Sequence, residues 1–412
     1  MLSDLSLNEA QTWWMDRLRP VHETLSVPLN AAIDRIAAHD LYASQSLPGA
    51  DVSAMDGVAL ALVTELPVSG VNYRFNIIGE SLAGHPFTGS CHENQAVHIT
   101  TGAKVPNGGQ CVVMKEYVQN LHDHIEIDGS YLIEGSNIRR AGEDIESGDH
   151  LIRKGICLNS GNIAILGAMG FDSALVFRPL RIICFSTGDE LIESSTVSSP
   201  NSIHDSNRPM LISMLQRAGA EVIDLGIVPD QPFEAEAFIH QMQAADLIVS
   251  TGGVSVGSAD WIKDFMRRHG SLDLWRVRMK PGRPLAIGRI GSTNWLAMPG
   301  NPVSAWVVQW LFLWPALQRL SGLSVDNIRV TPIRLPITRP VNKKTGRSLC
   351  LTARMTIPVP VDQAIRPMPS QGSAMLSSIN GANALIVLDE ASGNVSKESM
   401  VPVVPAGAVF LS

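Results

Sequence analysis

The chain has 412 residues, of which 45% are hydrophobic and 17% are charged, and its formal net charge is −7. A chain of this length is expected to hold about two to four domains. Its apolar content excludes a largely disordered protein. Because 39 Asp and Glu outnumber 32 Lys and Arg, the composition also argues against non-specific nucleic-acid binding.

The cysteine spacing, the N-terminal segment and one uncharged segment indicate the cellular compartment of the protein. The five cysteines are widely spaced without a C-x-x-C pair, which predicts reduced, mostly buried thiols of a cytoplasmic protein. The N-terminus predicts an amphipathic helix with a capping box from Ser6 to Glu9, not a signal peptide. The uncharged segment from Val303 to Gln318 is shorter than the roughly 20 residues of a membrane span. We therefore expect a buried helix there and no membrane partner.

Changes of pattern along the chain predict four domains. Residues 1–50 and 141–178 form a helical and linker domain, with predicted helices at 6–18 and 30–43. Short β runs separated by Gly and Asn-Gly turns predict a β-rich insertion over 51–140. The remaining two are an α/β domain at 179–322 and a small, proline-rich β domain at 323–412.

The segment 179–322 alternates strands with helices of about 10–15 residues, which is typical of a doubly wound, largely parallel sheet. Ligands of such sheets bind outside the carboxyl ends of the strands. Four segments follow strands at this edge: STGDEL, Asp230, STGGVSVG and PGNP. The overall fold class is therefore α/β, with a doubly wound domain, a β-rich insertion, a mixed N-terminal domain and a C-terminal β domain.

A glycine-rich turn in this segment predicts an anion site. Residues 246–260 read DLIVSTGGVSVGSAD, so the backbone amides near Gly252, Gly253 and Ser255 can approach a phosphate or another oxyanion. The turn lacks the lysine of a Walker loop and the spacing of a dinucleotide loop. Lys280 and Arg283, in the KPGRP turn, add positive charge at the same end of the sheet.

Carboxylates follow the same strands. Asp189 and Glu190 fit either a helix cap or a catalytic pair, and Asp230 and Asp260 are predicted at the same edge. Several carboxylates beside an anion loop would hold Mg²⁺ or accept hydrogen bonds from a base-like ring. Three other polar segments have a structural and a functional interpretation: SAMDGVA with Asp56, the PGNP turn at 299–302, and NIRRAGEDI at 137–145, the last favoured as an internally paired linker.

Eight motifs occur together in a characteristic order: SAMDG, TTGAKVP, NIRRAGEDI, STGDEL, TGGVSVG, KPGRP, PGNPVSA and QGSAMLSS. In this the chain resembles the molybdopterin molybdenumtransferases and the E domain of gephyrin, from about residue 8 to the C-terminus. STGDEL and TGGVSVG alone would indicate only the broader molybdopterin-binding fold, which the adenylyltransferase of the preceding step shares. The amino-terminal motifs and the C-terminal β domain narrow the resemblance to the molybdate-inserting enzyme.

The resemblance implies a four-domain subunit that forms a homodimer, with a cleft between the α/β domain of one subunit and the β-rich insertion of the other. The implied substrates are adenylylated molybdopterin and molybdate, the implied cofactor is Mg²⁺, and AMP is released. The upstream adenylyltransferase and apo-molybdoenzymes are further implied partners.

Site residues follow from the motifs and from the resemblance. The predicted catalytic residues are Asp56, Glu190, Asp230 and Asp260, with Asp230 and Asp260 as Mg²⁺ ligands. The predicted substrate-binding residues are Thr100, Asp189, Gly252, Gly253, Ser255, Arg276, Lys280, Arg283, Pro299, Pro302, Arg347 and Ser373.

Some positions depart from the family pattern. Val52 and Val58 replace the usual Asn and Tyr around SAMDG, Arg276 replaces a common lysine, and Cys350 takes an aromatic position. These departures keep alternatives open: a molybdopterin-binding paralogue or scaffold with altered or lost catalysis, or a molybdopterin adenylyltransferase.

Overall fold

A computed structural model describes residues 1–62, 67–230, 238–254, 261–328, 332–356 and 364–406. The chain divides into two compact units. The first contains Met1–His39, Lys154–Ile163 and Asp172–Ser412, and the second contains Asp40–Arg153 and Ala164–Phe171.

The helices and strands are numbered in chain order. The helices are α1 Leu7–Arg17, α2 Ser160–Ala168, α3 Asn207–Arg217, α4 Ile239–Ala244, α5 Trp261–His269, α6 Pro302–Val308 and α7 Trp314–Leu320. The strands are β1 Leu2–Leu5, β2 Thr24–Pro28, β3 Leu41–Tyr42, β4 Val52–Ser53, β5 Gly57–Leu60, β6 Asn72–Ser81, β7 Gln95–Ile99, β8 Cys111–Met114, β9 Gln119–Asn120, β10 Ile125–Asp128, β11 Ile138–Arg139, β12 His150–Ile152, β13 Ser173–Phe177, β14 Arg181–Thr187, β15 Leu191–Ile192, β16 Ile203–His204, β17 Glu221–Val228, β18 Leu247–Thr251, β19 Gly270–Val277, β20 Met279–Lys280, β21 Ala286–Ile290, β22 Thr293–Met298, β23 Ile333–Pro336, β24 Ser348–Arg354, β25 Arg366–Pro367, β26 Ala384–Leu388 and β27 Met400–Pro405.

A seven-stranded sheet organises the first unit, in the order β1-β19-β21-β22-β18-β14-β17. Strands β22, β18, β14 and β17 run parallel to one another, so their carboxyl ends lie at one edge. Strand β21 is antiparallel to both of its neighbours. The α/β prediction is confirmed, but the edge strand β1 was not predicted, because its four residues pair with β19 about 270 positions away and carry no pattern of their own.

Both faces of this sheet are covered. Along β14, Ile182 and Cys184 pack into one apolar layer, whereas Ile183 and Phe185 pack into the other. The first layer includes the aromatic segment formed by α6, a π-helical turn at Gln309–Leu313, and α7. This confirms the prediction of a buried helix. No helix in the described ranges has both the length and the apolar character needed to cross a membrane.

The N-terminal prediction is half right. Helix α1 begins after Ser6, whose hydroxyl oxygen accepts a hydrogen bond from the Glu9 amide. The Glu9 carboxylate accepts one from the Ser6 amide in return, so the capping box is confirmed. The helix predicted for 30–43 is wrong: after a 3-10 turn at Leu29–Ala31 the segment contains a second turn, two isolated β-bridges and the short strand β3. The bridges join Ile36 to Cys157 and Ala37 to Val176. Backbone pairing outweighs the helical spacing here.

The second unit contains the predicted β-rich segment. Six strands pair in the order β8-β5-β7-β6-β10-β9 around a small apolar core. The NIRRAGEDI segment is partly paired internally, because the Arg140 amide donates to Glu143, but its guanidinium binds Asp51 at 2.6 Å.

Another sheet lies in the C-terminal part of the first unit, in the order β20-β24-β26-β27-β23, with β25 beside β24. Strand β20 comes from the KPGRP segment, so Lys280 lies at the edge of this sheet opposite Leu349. All five cysteines are unpaired and four are buried, as predicted.

Candidate functional site

The carboxyl ends of β14 and β17 carry a hydrogen-bonded group around Asp230. The Thr187 hydroxyl donates to Oδ1 of Asp230. The indole N–H of Trp261 lies 3.0 Å from both this Oδ1 and the Thr187 hydroxyl. The Asp230 amide also donates to Oδ1 of Asp189 at 3.2 Å. Asp189 and Asp230 are therefore neighbours at the sheet edge.

Asp189 and Glu190 occupy a turn, and no helix begins there. The helix-cap interpretation is wrong, because the chain continues into β15 and the next helix starts at Asn207. Glu190 is exposed, and its carboxylate lies over Gly188, where an added Cβ would be 2.9 Å from Oε2. The carboxylate is thus presented to solvent at the sheet edge.

The glycine-rich turn follows β18 directly. Gly252 has a φ of +92°, and a Cβ there would lie 2.0 Å from the Thr187 carbonyl oxygen. Gly253 has a φ of +62°, and its Cβ would meet Thr187 and Ile262 at 2.9 Å. Only glycine fits these two positions, since L side chains rarely adopt such φ values and no space exists for them. The backbone of the turn therefore packs against the end of β14.

The PGNP turn lies beside this glycine turn. A Cβ on Gly300 would be 3.6 Å from Cα of Gly252. The Thr251 hydroxyl donates to the Pro299 carbonyl at 2.9 Å. The buried side chain of Asn207 donates to both Thr251 Oγ1, at 2.8 Å, and the Gly300 carbonyl, at 2.7 Å. Three segments distant in sequence thus meet at one edge of the sheet.

Helix α6 connects this edge to the C-terminal sheet. Pro302 is its first residue, and the next amide, of Val303, donates to the Ser373 carbonyl at 3.0 Å. On the same helix, the Ser304 carbonyl lies 3.7 Å from where a Gly282 Cβ would stand. The QGSAMLSS and KPGRP turns therefore both pack near the amino end of α6.

The predicted cations differ in whether their charge is neutralised. Arg283 binds Asp4 at 3.1 Å, so part of its charge is used within the fold. Arg276, Lys280 and Arg347 have no carboxylate within 4.0 Å among the described residues. Arg276 also has a left-handed φ of +67° and lies over the Trp275 ring. The three side chains without a carboxylate are the ones available to an anion.

Lys280 lies in β20, and Arg347 immediately precedes the neighbouring strand β24. Met279 pairs with Ser348 and Lys280 with Leu349, so Arg347 precedes the pairing by one residue. Lys280 and Arg347 are both exposed. A third basic residue, Arg278, was not predicted to act here, and its guanidinium is neutralised by Glu390 at 2.8 Å.

In the second unit the structure brings Asp56 and Thr100 close in the fold. Oδ1 of Asp56 accepts hydrogen bonds from the amide and the hydroxyl of Thr101, at 2.8 and 2.9 Å. Thr100 Oγ1 accepts the amide of Ala83. Hydrogen bonds from Thr101, with Lys115 4.0 Å away, lower the pKa of the exposed Asp56 carboxyl. Asp56 is therefore a preorganised carboxylate.

Departures from the family pattern have simple structural contexts. Val58 is 1% exposed within the core of the six-stranded sheet. Val52, in β4, pairs with Arg139 of β11. Cys350 lies in the core of the first unit, where burial raises the pKa of its thiol to about 12. The Cys350 thiol is consequently unreactive at neutral pH.

Two predicted residues, Ser255 and Asp260, lie outside the described residues. Within the described ranges, no three His, Cys, Asp or Glu side chains are grouped to hold a metal ion.

Sequence reasoning missed four residues that organise the edge. Thr187 and Trp261 bind Asp230, and Asn207 joins the two turns. Arg208 binds Glu193 and Asp224 at 2.6 and 2.5 Å, and also the buried Asp205 at 3.0 Å. Arg208 thus fixes the segment that follows Asp189 and Glu190. The DSNR letters at 205–208 could have signalled a polar helix start at this edge.

We expect Arg208→Met to lower the free energy of unfolding by about 3 kcal/mol, because it leaves the 3%-exposed Asp205 side chain without its cation. Urea denaturation monitored by tryptophan fluorescence measures this loss. All eight tryptophans lie in the first unit, which also contains Arg208. The control is Arg267→Met, which removes an exposed pair with Asp264 and should cost about 0–1 kcal/mol. Equal losses in the two variants would contradict the interpretation that Arg208 stabilises the fold by neutralising the buried Asp205 carboxylate.

Comparison with known proteins gives one consistent result. The chain matches the MoeA N-terminal region (domain I and II) over 5–170, a probable molybdopterin binding domain over 183–319 and the MoeA C-terminal region (domain IV) over 334–406. A molybdopterin molybdenumtransferase of Haemophilus influenzae is 34% identical over 403 residues, which cover 97% of this chain and 98% of that protein. A gephyrin of Dictyostelium discoideum is 28% identical, covering 94% of this chain and 60% of its own length.

A solved structure agrees with these sequence matches. The crystal structure of the molybdopterin biosynthesis MoeA protein from Pyrococcus horikoshii OT3 has a TM-score of 0.82 at 25% identity and covers 97% of this chain and 99% of its own. The likeness extends over both units. The chain therefore belongs to the molybdopterin molybdenumtransferase family, whose members are transferases of molybdenum cofactor biosynthesis.

Proposed function

We propose that this protein inserts molybdate into adenylylated molybdopterin and releases AMP in a Mg²⁺-dependent reaction. The observation that carries the proposal is the continuous series of contacts along one edge of the first unit. It runs from Asp230 through the glycine turn and the PGNP turn to α6, Ser373 and the KPGRP turn. Family membership supplies the substrate class.

The two ends of this edge suit two different anions. The Gly252 amide donates to the Met298 carbonyl, so the Gly253 amide is the one suited to the pyrophosphate that joins molybdopterin to AMP. The un-neutralised cations Lys280, Arg276 and Arg347 are suited to molybdate, which is doubly negative. Glu190, presented to solvent beside the glycine turn, is our candidate for positioning the attacking group.

The described carboxylates fit a Mg²⁺ ion. The hydrogen bonds that Asp230 accepts from described residues all reach Oδ1, which leaves Oδ2 for a cation, and Asp189 lies beside it. Mg²⁺ is usually held by only one or two carboxylates together with phosphate oxygens and waters, so three grouped acids are not required. When bound, the ion would neutralise charge on the pyrophosphate oxygens. Asp260 is a further proposed ligand.

We further propose a cytoplasmic homodimer of four-domain subunits with the boundaries predicted above. In this arrangement Asp56 and Thr100 are contributed to the cleft by the second unit of the other subunit. Asp56 suits this role because Thr101 orients it and because its carboxylate is 51% exposed. The upstream adenylyltransferase and apo-molybdoenzymes are the proposed sequential partners.

Shared clefts give a complementation prediction. We expect Asp56→Ala and Glu190→Ala homodimers each to be inactive, whereas a mixed dimer recovers part of the wild-type AMP release, because one of its two clefts contains both carboxylates. Differently tagged subunits, purified through both tags, provide the mixed dimer. The control is a mixed dimer of two differently tagged Glu190→Ala chains, which should stay inactive. A purified mixed dimer as inactive as that control would show that both carboxylates serve one subunit.

Two other functions remain to be separated by experiment. A molybdopterin adenylyltransferase would consume ATP with molybdopterin, whereas our proposal consumes the adenylate and requires no ATP. A scaffold would bind molybdopterin without turnover. One reaction receives molybdopterin with ATP, another receives adenylylated molybdopterin with Mg²⁺ and molybdate but no ATP, and AMP and pyrophosphate are measured in both. We expect AMP release in the second reaction and no pyrophosphate release in the first, whereas an adenylyltransferase would release pyrophosphate in the first and a scaffold would release neither product.

A further inference from the structure

Asn207 holds two turns of the site through a single amide group. Its side chain is 6% exposed at the start of α3. The Nδ2 group donates to Thr251 Oγ1 at 2.8 Å and to the Gly300 carbonyl at 2.7 Å, which uses both of its hydrogens. Because a carbonyl oxygen only accepts, the contact with Gly300 fixes the orientation of the Asn207 amide.

The contact continues through the threonine. Thr251 Oγ1 accepts from Asn207 and donates to the Pro299 carbonyl at 2.9 Å. One side chain thereby reaches two carbonyls of the PGNP turn, that of Gly300 directly and that of Pro299 through Thr251. The Gly252 amide, donating to the Met298 carbonyl at 3.1 Å, completes the connection between the turns.

This arrangement has a cost that ordinary helix capping would avoid. Oδ1 of Asn207 is buried and accepts no hydrogen bond from the described residues. It does not cap α3 either, because the amides of Asn207 and Arg208 at the start of this helix donate to Oδ1 of Asp205. Burying an unpaired acceptor is unfavourable, so the side chain is better explained by what its two N–H groups join.

We propose that Asn207 is a positioning residue for the transferase reaction. It sets the distance between the glycine turn, whose Gly253 amide we assign to the oxyanion, and the amino end of α6, near which Ser373 and the KPGRP turn pack. This inference rests on the proposed function for its catalytic consequence but not for its structural one. We call the hydrogen bonds from Asn207 to Thr251 and Gly300 the Asn207 clamp. Misplacing a binding group by about 1 Å can cost 100-fold in rate, so this clamp has a large effect although it does not touch the substrate.

The test combines Asn207→Ala with Asn207→Asp. Aspartate keeps the shape of the side chain but has no N–H to donate, so both variants lose the clamp. We expect each to lower kcat/KM for adenylylated molybdopterin at least ten-fold per folded molecule. Thr251→Val, which removes the relaying hydroxyl, should share the defect, and Thr251→Ser should be active.

The matched control is Asn383→Ala. The Asn383 side-chain amide also bonds to backbone groups: it donates to the Met355 carbonyl and accepts a hydrogen bond from the Met355 N–H. These contacts lie in the region of the C-terminal sheet, away from the two turns. We expect a comparable loss of thermal stability with unchanged kcat/KM. If Asn207→Asp has wild-type kcat/KM, or if Asn207→Ala loses no more activity per folded molecule than Asn383→Ala, the positioning role is wrong.

Hydrogen exchange gives a readout that does not depend on the reaction. We expect faster exchange in Asn207→Ala at peptides covering 251–254 and 299–303, and unchanged exchange at 221–228. If the exchange is faster but the wild-type protein turns over no adenylylated molybdopterin, the proposed function fails while the clamp stands. Unchanged exchange at both turns overturns the clamp itself.

Discussion

Asp230→Asn is expected to reduce AMP release by about 100-fold or more, on the scale of one lost transition-state contact. Asparagine keeps the size of the side chain, and its Oδ1 can still accept from Thr187 and Trp261. The fold is therefore retained while the negative charge beside the proposed pyrophosphate site is lost. Turnover measured against Mg²⁺ concentration should show partial recovery at high Mg²⁺.

The control for this variant is Asp273→Asn. Asp273 binds Arg17 at 2.8 Å in a 19%-exposed position on β19, outside the turns of the site. Its loss should leave turnover per folded molecule unchanged. Wild-type turnover and Mg²⁺ dependence in Asp230→Asn would instead identify Asp230 as a structural acceptor for Thr187 and Trp261.

Lys280→Ala is expected to raise the molybdate concentration for half-maximal AMP release about ten-fold, since hydrogen bonds to charged groups contribute about 1.5–3 kcal/mol. Lys280 has no carboxylate partner among the described residues and lies in the edge strand β20, whose neighbour β24 begins one residue after Arg347. AMP release against molybdate concentration measures the effect, with fold and dimer verified separately.

Lys397→Ala is the matched control, because Lys397 is exposed and pairs with the neighbouring Glu398. Its molybdate curve should superimpose on that of the wild type. If the Lys280→Ala curve superimposes as well, Lys280 does not bind the oxyanion, and Ser373 and Arg347 become the main candidates.

Local pattern predicted the parts of this site that follow buried strands. STGDEL and TGGVSVG come directly after apolar runs, so their place at the carboxyl ends of β14 and β18 could be read from the sequence. The same reasoning placed Asp230 after β17. Asp230 and Asp189 then meet, because parallel neighbouring strands end at one edge.

Long-range pairing explains what the sequence did not reveal. Arg283 was expected at the anion site, but it pairs with Asp4 of β1, a strand too short to have a pattern. The segment 30–43 has helical spacing, yet its backbone pairs with Cys157 and Val176. Asn207 begins a helix like many polar residues, and only its contacts with Thr251 and Gly300 distinguish it.

The most direct test of the central claim counts two products in one reaction. The wild-type protein is mixed with adenylylated molybdopterin and Mg²⁺, with and without molybdate, and AMP and dithiolene-bound molybdenum are measured. Our account predicts that molybdate stimulates AMP release and that one molybdenum is bound for each AMP formed. AMP release without any molybdenum bound, or no AMP release from a folded protein that binds the adenylate, would contradict it.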